Sequence, residues 1–171
     1  MDILEIIKSR RSIRKFKEKE IPEEIIDKLA ETLIWAPSAG NLQSRKFYFV
    51  FNQEIKEKLA KAALDQKFIA EAPLVVIGCT DEEIVWKYGQ RGKNLYTICD
   101  CAMAIQNLML LAYNLGLGSC PVGAFDENEV SEILDIPKNL HPILIVPIGY
   151  PAEKPSAPPR VAKKEAITYF T

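Results

Sequence analysis

Residues 95–115 read LYTICDCAMAIQNLMLLAYNL. Leu95, Ile98, Ala102, Ile105, Met109 and Ala112 recur at alternating steps of three and four, and Cys101, Ala104, Leu108, Leu111 and Leu115 form a second stripe of the same kind. That spacing predicts a helix over Leu95–Leu115, and two stripes predict burial on nearly all sides. One small domain has little room for such a helix at its centre, so a subunit interface, most simply a twofold dimer, is expected to cover part of it. The stretch 101–125 carries no formal charge, but Gln106, Asn107, Asn114, Gly116, Gly118, Ser119 and Pro121 interrupt it, which reads as burial in protein and not in lipid.

Outward from this helix the elements alternate. Asp2 and Glu5 resemble a capping box, with Ile3, Leu4 and Ile7 on one helical face. Pro22, Glu23 and Glu24 open a second helix with the stripe Ile25, Ile26, Leu29, Leu33, which ends before Pro37. Lys46–Phe51 (KFYFVF) and Leu74–Cys79 (LVVIGC) read as strands, separated by an amphipathic helix over Glu54–Leu64 with Ile55, Leu59, Ala62 and Ala63 inward. The charged stretch 81–93 gives no clear pattern. Gly116 and Gly118 stop the long helix, and Asp126 with Glu129 begins a short one bearing Val130, Ile133 and Leu134. Ile143–Gly149 reads as a strand in which Pro147 predicts an edge or a bulge. Four prolines within Pro151–Pro159 predict an extended segment reaching away from the core, followed by a tail.

Helices interleaved with strands make a mixed α and β domain. At 171 residues the chain reads as one domain, and 22 basic against 23 acidic side chains leave a net charge of −1, which argues against nucleic acid or a membrane surface as the main partner. Cys79, Cys99, Cys101 and Cys120 show no zinc-type spacing, and His141 is the only histidine, so no metal site is expected. The acidic start Met1-Asp2-Ile3-Leu4-Glu5 is no signal peptide, so a cytoplasmic location with reduced thiols is the expectation.

Three segments suit a ligand. Arg10-Arg11-Ser12-Ile13-Arg14 offers charge and directed donors for a phosphate; the plain alternative is a solvated basic segment, or a helix end helped by cations. Pro37-Ser38-Ala39-Gly40-Asn41-Leu42-Gln43 offers amides for the edge of a heterocycle, or is an ordinary helix-to-strand loop. The glycine-rich bend 116–125 lets backbone approach a flat ligand, or is only a helix stop and turn. No nucleophile stands beside a base. His141 reads as a turn residue, Asp100 as a partner for a nearby cation or backbone group, and Cys99 and Cys101 as packing residues. An enzyme with this inventory would lean on a cofactor.

Taken in order, Arg10-Arg11-Ser12-x-Arg14, A-P-S-A-G-N-L-Q at 36–43, Y-G-x-R-G at 88–92, L-Y-x-x-x-D-x-A-x-A-x-Q-N-L-x-L-x-A at 95–112, G-L-G-S at 116–119, I-P-x-N-L-x-P at 136–142 and Gly149-Tyr150-Pro151 resemble the nitroreductase family of FMN flavoproteins. The resemblance implies an α+β fold with a central, mostly antiparallel sheet flanked by helices, in an intertwined homodimer. The whole chain 1–171 would be one domain, with 151–171 an arm reaching the partner subunit. It implies two FMN sites at the dimer interface, each built from both subunits. Arg10, Arg11, Ser12 and Arg14 would hold the phosphate end, joined by Arg160. Pro37, Ser38, Asn41 and Gln43 would contact the ribityl chain or ring from the partner. Pro121, Val122 and Gly123 would lie along the ring, with a backbone N–H near Gly123 facing the reactive N5.

The implied activity is transfer of two electrons from NAD(P)H to a nitroaromatic, a quinone or another small electrophile by a ping-pong scheme, with the flavin and no side chain doing the chemistry. A flavin-storing or flavin-sensing protein, or a related flavoenzyme such as a reductive dehalogenase, are the alternatives. The sequence departs from the family after Gln43, where Ser44-Arg45 replaces the usual proline and aromatic residue, and the usual long insertion over the flavin is small or missing.

Overall fold

The computed structural model describes residues 2–171. Its sheet has four strands, β1 (Arg45–Val50), β2 (Leu74–Asp81), β3 (Gly118–Ser119) and β4 (Leu140–Gly149), in the order β1-β2-β4-β3 with every neighbouring pair antiparallel. The helices are α1 (Ile3–Ser9), α2 (Glu23–Ile34), α3 (Gln53–Ala62), α4 (Phe68–Glu71), α5 (Val85–Arg91), α6 (Thr97–Asn114), α7 (Glu127–Ile133) and α8 (Lys163–Ala166).

β2 is the spine because its run Leu74–Ile77 is apolar on both faces and the strand is buried as far as Thr80. Side chains alternate across a strand. Leu74 and Val76 therefore enter one core with Leu29 and Leu33 of α2 and Ala104, Ile105 and Leu108 of α6, while Val75, Ile77 and Cys79 enter a second core with Leu59 of α3 and Val130 of α7. The sheet is thus covered by helices on both faces. Gly78 lets α6 come close, since a Cβ there would stand 2.9 Å from the Cys101 sulfur.

Local signals place most ends. Asn52 and Asp126 cap α3 and α7 by accepting from the backbone N–H of Ile55 and Glu129, each at 3.0 Å. Gly116, at φ 80°, turns the chain out of α6. Gly118 lies beyond that stop, in β3, where a Cβ would fall 2.5 Å from Ile13. The unassigned stretch 81–93 is helical: a 3₁₀ turn over Glu82–Ile84, then α5, then a π turn over Gly92–Tyr96 that runs into α6. By length and composition Glu82–Asn114 could cross a membrane, yet one face of α6 lies in the core.

Several expectations need correction. Asp2 makes no side-chain cap, and Ile3, Leu4 and Ile7 are exposed; α1 buries Ile6 instead, because that is the side it turns to the rest of the chain. Within one chain α6 is covered by the sheet and α2 and not on all sides, and Ile98 and Met103, with Leu95 of the π turn before them, are about 40% exposed. Cys99 stands on this open side and is exposed, not packed.

Pro147 lies neither on an edge strand nor at a bulge; β4 is interior, and the irregularity falls at Gly78/Cys79. Alternation along the ladder explains why proline is tolerated. Ile145 N–H donates to Val122 O at 2.9 Å, so the nitrogen of Pro147 points to that same side, where the chain from Cys120 to Val122 pairs only by isolated bonds. The proline-rich segment does not leave the core at once: Pro151 pairs with Phe16, and Ala152 N–H donates to Lys15 O at 2.9 Å.

Candidate functional site

Two groups of residues emerge. The first is built on the chain between α1 and α2. Ser12 forms a parallel bridge to Ser119, and Ile13 N–H donates to Ser119 O at 3.1 Å, which ties Arg10–Arg14 to the sheet edge. The C-terminal segment returns over the same place. Arg10, Arg11, Ser12, Arg14, Pro155, Ser156, Pro158 and Arg160 line one concavity of about 290 Å³. Five of the expected phosphate residues, from both ends of the chain, thus meet in one hollow.

Their charges are not neutralised there. The Nη1 of Arg10 is buried with no hydrogen-bond partner. Burial lowers the pKa of Arg10, the charges of Arg11 and Arg160 lower it further, and only Cys120 opposes them. A buried donor left unpaired costs free energy, and a phosphate oxygen would satisfy both it and the cluster. Arg11 is committed differently: its Nη1 donates to Lys8 O at 2.7 Å and Arg10 O at 2.8 Å at the C-terminal end of α1, so for this residue the helix-end reading holds. The Arg14 guanidinium lies 5.9 Å from the centre of the Phe68 ring, while its backbone N–H donates to Glu153.

Beside the hollow runs 119–123. Val122 exchanges two hydrogen bonds with Ile145, at 2.8 and 2.9 Å, and is buried; Pro121 and Gly123 are exposed, and nothing lies within 4 Å of where a Gly123 Cβ would be. The result is a pinned backbone with an open flank, suited to a flat ligand. Cys120 is buried beneath it. Burial pushes its thiol up against the opposing pull of Arg14, Ser12 and Arg10, so it is a neutral neighbour of the arginines.

The second group has other neighbours. Ser38 begins a 3₁₀ turn over Ala39–Asn41; Gly40 and Asn41 within it, and Gln43 just after it, have φ between 53° and 55°. Gln43 N–H donates to Ser38 Oγ at 3.0 Å, and Ala39 N–H is shared by both oxygens of Asp100 at 3.1 Å. Asp100 thus takes a backbone partner, as its setting in α6 suggested. The tip of the turn faces α5: a Cβ on Gly40 would stand 2.4 Å from the Tyr88 hydroxyl. Pro37 is exposed, and its carbonyl accepts from Arg45.

Pro37, Ser38, Asn41 and Gln43 are therefore assembled with one another, and none of them lines the hollow of Arg10 and Arg160. The sequence marked Arg45 only as a departure after Gln43, without a role, and gave none to Cys120 or Phe68; Phe68 left no local signal.

His141 is no turn residue. It sits in β4 between two carboxylates, with Nδ1 2.7 Å from Glu127 and Nε2 against Glu82, which also meets Lys93. This cluster joins β4, α7, the 3₁₀ turn at Glu82 and the π turn.

The Nitroreductase family profile matches residues 7–84 and 63–150. A protein of Methanothermobacter thermautotrophicus, provisionally named NADH dehydrogenase/NAD(P)H nitroreductase, is 35% identical over 159 residues, spanning 91% of this chain and 80% of that one. An FMN reductase [NAD(P)H] of Bacillus subtilis is 30% identical over 182 residues, spanning 96% and 73%. Among solved structures, that of NfrA1 from Bacillus megaterium superposes with a TM-score of 0.90 at 28% identity, spanning 100% of this chain and 75% of that one. Fold, ordered motifs and relatives agree, and the chain belongs to the nitroreductase family.

Proposed function

We propose that this chain is an FMN-dependent oxidoreductase that takes two electrons from NAD(P)H and delivers them to a nitroaromatic, a quinone or a similar small electrophile, the two substrates using one face in turn. The observation that carries this reading is the buried, unpartnered Nη1 of Arg10 in a hollow shared with Arg14 and Arg160. The names of the relatives, an FMN reductase and an NAD(P)H nitroreductase, point the same way.

Arg10, Arg14 and Arg160 would hold the FMN phosphate, with Ser12 as a neutral donor. Bound FMN supplies the two-electron chemistry. The chain's own part is to bind and orient. The Val122–Ile145 bridge fixes Pro121 and Gly123 as a firm edge, and the open flank of Gly123 leaves room for a ring. The sequence contains no G-x-G-x-x-G dinucleotide fingerprint, and in the alternating scheme the nicotinamide leaves the shared face before the acceptor enters.

A second copy of the chain completes this reading. The loop 37–43 stands apart from the arginine hollow within one chain. The open face formed by Leu95 of the π turn with Ile98 and Met103 of α6, and an apolar groove of about 480 Å³ between α1, α2 and α6, offer surface for a homodimer that brings the two together. The tail carries Tyr169 and Phe170, 78% and 96% exposed, which suits an arm that lies on the partner.

The test begins with an absorption spectrum after excess FMN is added and removed. One retained flavin per chain is expected, in a particle of twice the chain mass by sedimentation. Oxidation of NAD(P)H with a quinone should then exceed that by free FMN and give parallel double-reciprocal lines. A colourless protein overturns the cofactor assignment, and intersecting lines overturn the alternating scheme.

A further inference from the structure

The loop 37–43 holds a conformation that its sequence does not favour by itself. Asn41 and Gln43 have φ of 55° and 53° without being glycine. Left-handed backbone at such residues persists where surrounding contacts over-determine it. Bonds within the loop hold its tip, among them Asn41 N–H to Ser38 O and Gln43 N–H to Ser38 Oγ, both at 3.0 Å, and two side chains from outside tie it to the rest of the fold. Arg45, at the start of β1, donates from Nη2 to Ala36 O at 2.6 Å, and from Nη1 to Pro37 O at 2.9 Å and Asp100 O at 3.2 Å. Asp100, in the first turn of α6 and 2% exposed, accepts from Ala39 N–H with both oxygens at 3.1 Å. One residue clamps the entry to the loop, and the other clamps its middle.

Arg45 and Asp100 also need each other. A carboxylate this buried with one N–H donor is poorly solvated, and the guanidinium beside it offsets part of that cost. The fork geometry matters as well. Three carbonyls lie in two directions from one head group, and a planar guanidinium spans them where a lysine ammonium at the same position could not do so equally. The clamp leaves the loop's own amides free: the side chains of Asn41 and Gln43 are exposed, and neither has a hydrogen bond among the described residues. Arg45 stands at the position of the departure after Gln43 noted in the sequence.

We propose that Arg45 and Asp100 are a positioning pair that fixes Pro37–Gln43 so that the amides of Asn41 and Gln43 are presented, preset, to the flavin. The inference rests on the reading of that loop as a flavin contact.

The test uses the full-length protein, reconstituted with FMN, and the variants Arg45→Met, Arg45→Lys, Asp100→Leu and Asp100→Asn. Amide exchange of the 36–43 peptide is followed by mass spectrometry in the FMN-free state, with the β2 peptide as an internal control for folding. FMN affinity is read by fluorescence. Arg45→Met and Asp100→Leu should speed exchange of 36–43 and weaken FMN binding, each by about tenfold, with β2 unchanged. Asp100→Asn keeps an acceptor for Ala39 N–H and should stay within about threefold of the parent in both. Arg45→Lys should fall between parent and Arg45→Met. If Arg45→Met does not fold, the two Asp100 variants decide the question alone.

Unchanged exchange in 36–43 overturns the positioning role and leaves FMN binding at the arginine hollow standing. A loosened loop with unchanged FMN affinity overturns the flavin-contact reading, and the proposal with it. Equal damage from Asp100→Asn and Asp100→Leu also overturns it, because then the acceptor geometry is not what matters.

Discussion

Replacing Arg10 with methionine should move two observables in opposite directions. Methionine keeps much of the stem's length and removes the guanidinium, whose Nη1 is buried without a partner. In the FMN-free protein that donor brings only a desolvation cost, about 1–3 kcal/mol for a buried polar group left unsatisfied. Repulsion from Arg11 and Arg160 adds to it. Arg10 is only half-buried, so solvent screens much of this, and lost packing of the stem offsets more. The FMN-free variant should therefore melt no lower than the parent, with a rise of up to about 2–4 °C if ~1 kcal/mol is recovered.

With FMN the sign reverses. The same nitrogen becomes a charge-assisted donor worth about 1.5–3 kcal/mol. At about 1.4 kcal/mol per tenfold, the dissociation constant should rise ten- to a hundredfold. Fluorescence titration gives the constant, and thermal melts with and without FMN give the stability. FMN should also raise the melting temperature of the variant less than that of the parent at equal concentration. A variant that loses stability without FMN while keeping its affinity would refute the reasoning, because Arg10 would then be a structural residue and the hollow would not be a phosphate site.

Three further outcomes are expected. Gly118→Ala should destabilise the chain by about 1–3 kcal/mol in urea unfolding, because its methyl meets Ile13 at 2.5 Å in a packed β3 edge; an unchanged midpoint would show that this edge yields. Burial holds the Cys79 and Cys101 thiols at about 12, so neither should react with an aromatic disulfide reagent at pH 8 until the chain unfolds, as peptide mapping would show. Hydrogen bonds from Lys93 and His141 hold the Glu82 carboxyl below its ordinary value of 4.5. A lowered carboxyl pKa contributes stability that is present above that ordinary value and is lost as pH falls through the folded one. Glu82→Gln should therefore flatten acid unfolding below about pH 4.5, and an unaltered acid limb would remove Glu82 from the account.

What the sequence disclosed follows from how local each cause is. The Asp126 cap was legible because the carboxylate and its target, Glu129, lie within one turn. The helix at α6 was legible from its period. The side of that helix left uncovered was not, because periodicity says that a face is apolar and not what lies on it; the exposure of Ile3, Leu4 and Ile7 was not legible for the same reason. β3 has two residues and no period to detect, and Pro147 was misplaced because the side its nitrogen faces depends on which strand lies beyond it. The site divides in the same way. Arg10–Arg14 form a local charge cluster, visible at once. The arrival of Arg160 beside them was expected only through the family's ordered motifs. The clamp from Arg45 to Asp100 joins residues 55 positions apart, and nothing in either segment announces the other.

That division has a consequence for how the two halves of the site can vary. The arginine hollow and Gly123 are tied to backbone, through Ser12–Ser119 and Val122–Ile145, and a ladder is insensitive to which side chains it carries. The loop 37–43 hangs on side chains from β1 and α6, so it can be retuned by one substitution without touching the sheet. On the proposed reading, the rigid half grips the phosphate and the tunable half presents amides to the flavin. Changes at position 45 or 100 should then alter how the ring is held more than how strongly the phosphate is held. Competition by inorganic phosphate separates the two: Arg45→Met should leave the affinity of the FMN-free hollow for phosphate unchanged, whereas Arg10→Met should weaken it. Equal loss in both variants would mean that the halves are mechanically one, and that loop and hollow are coupled through the chain.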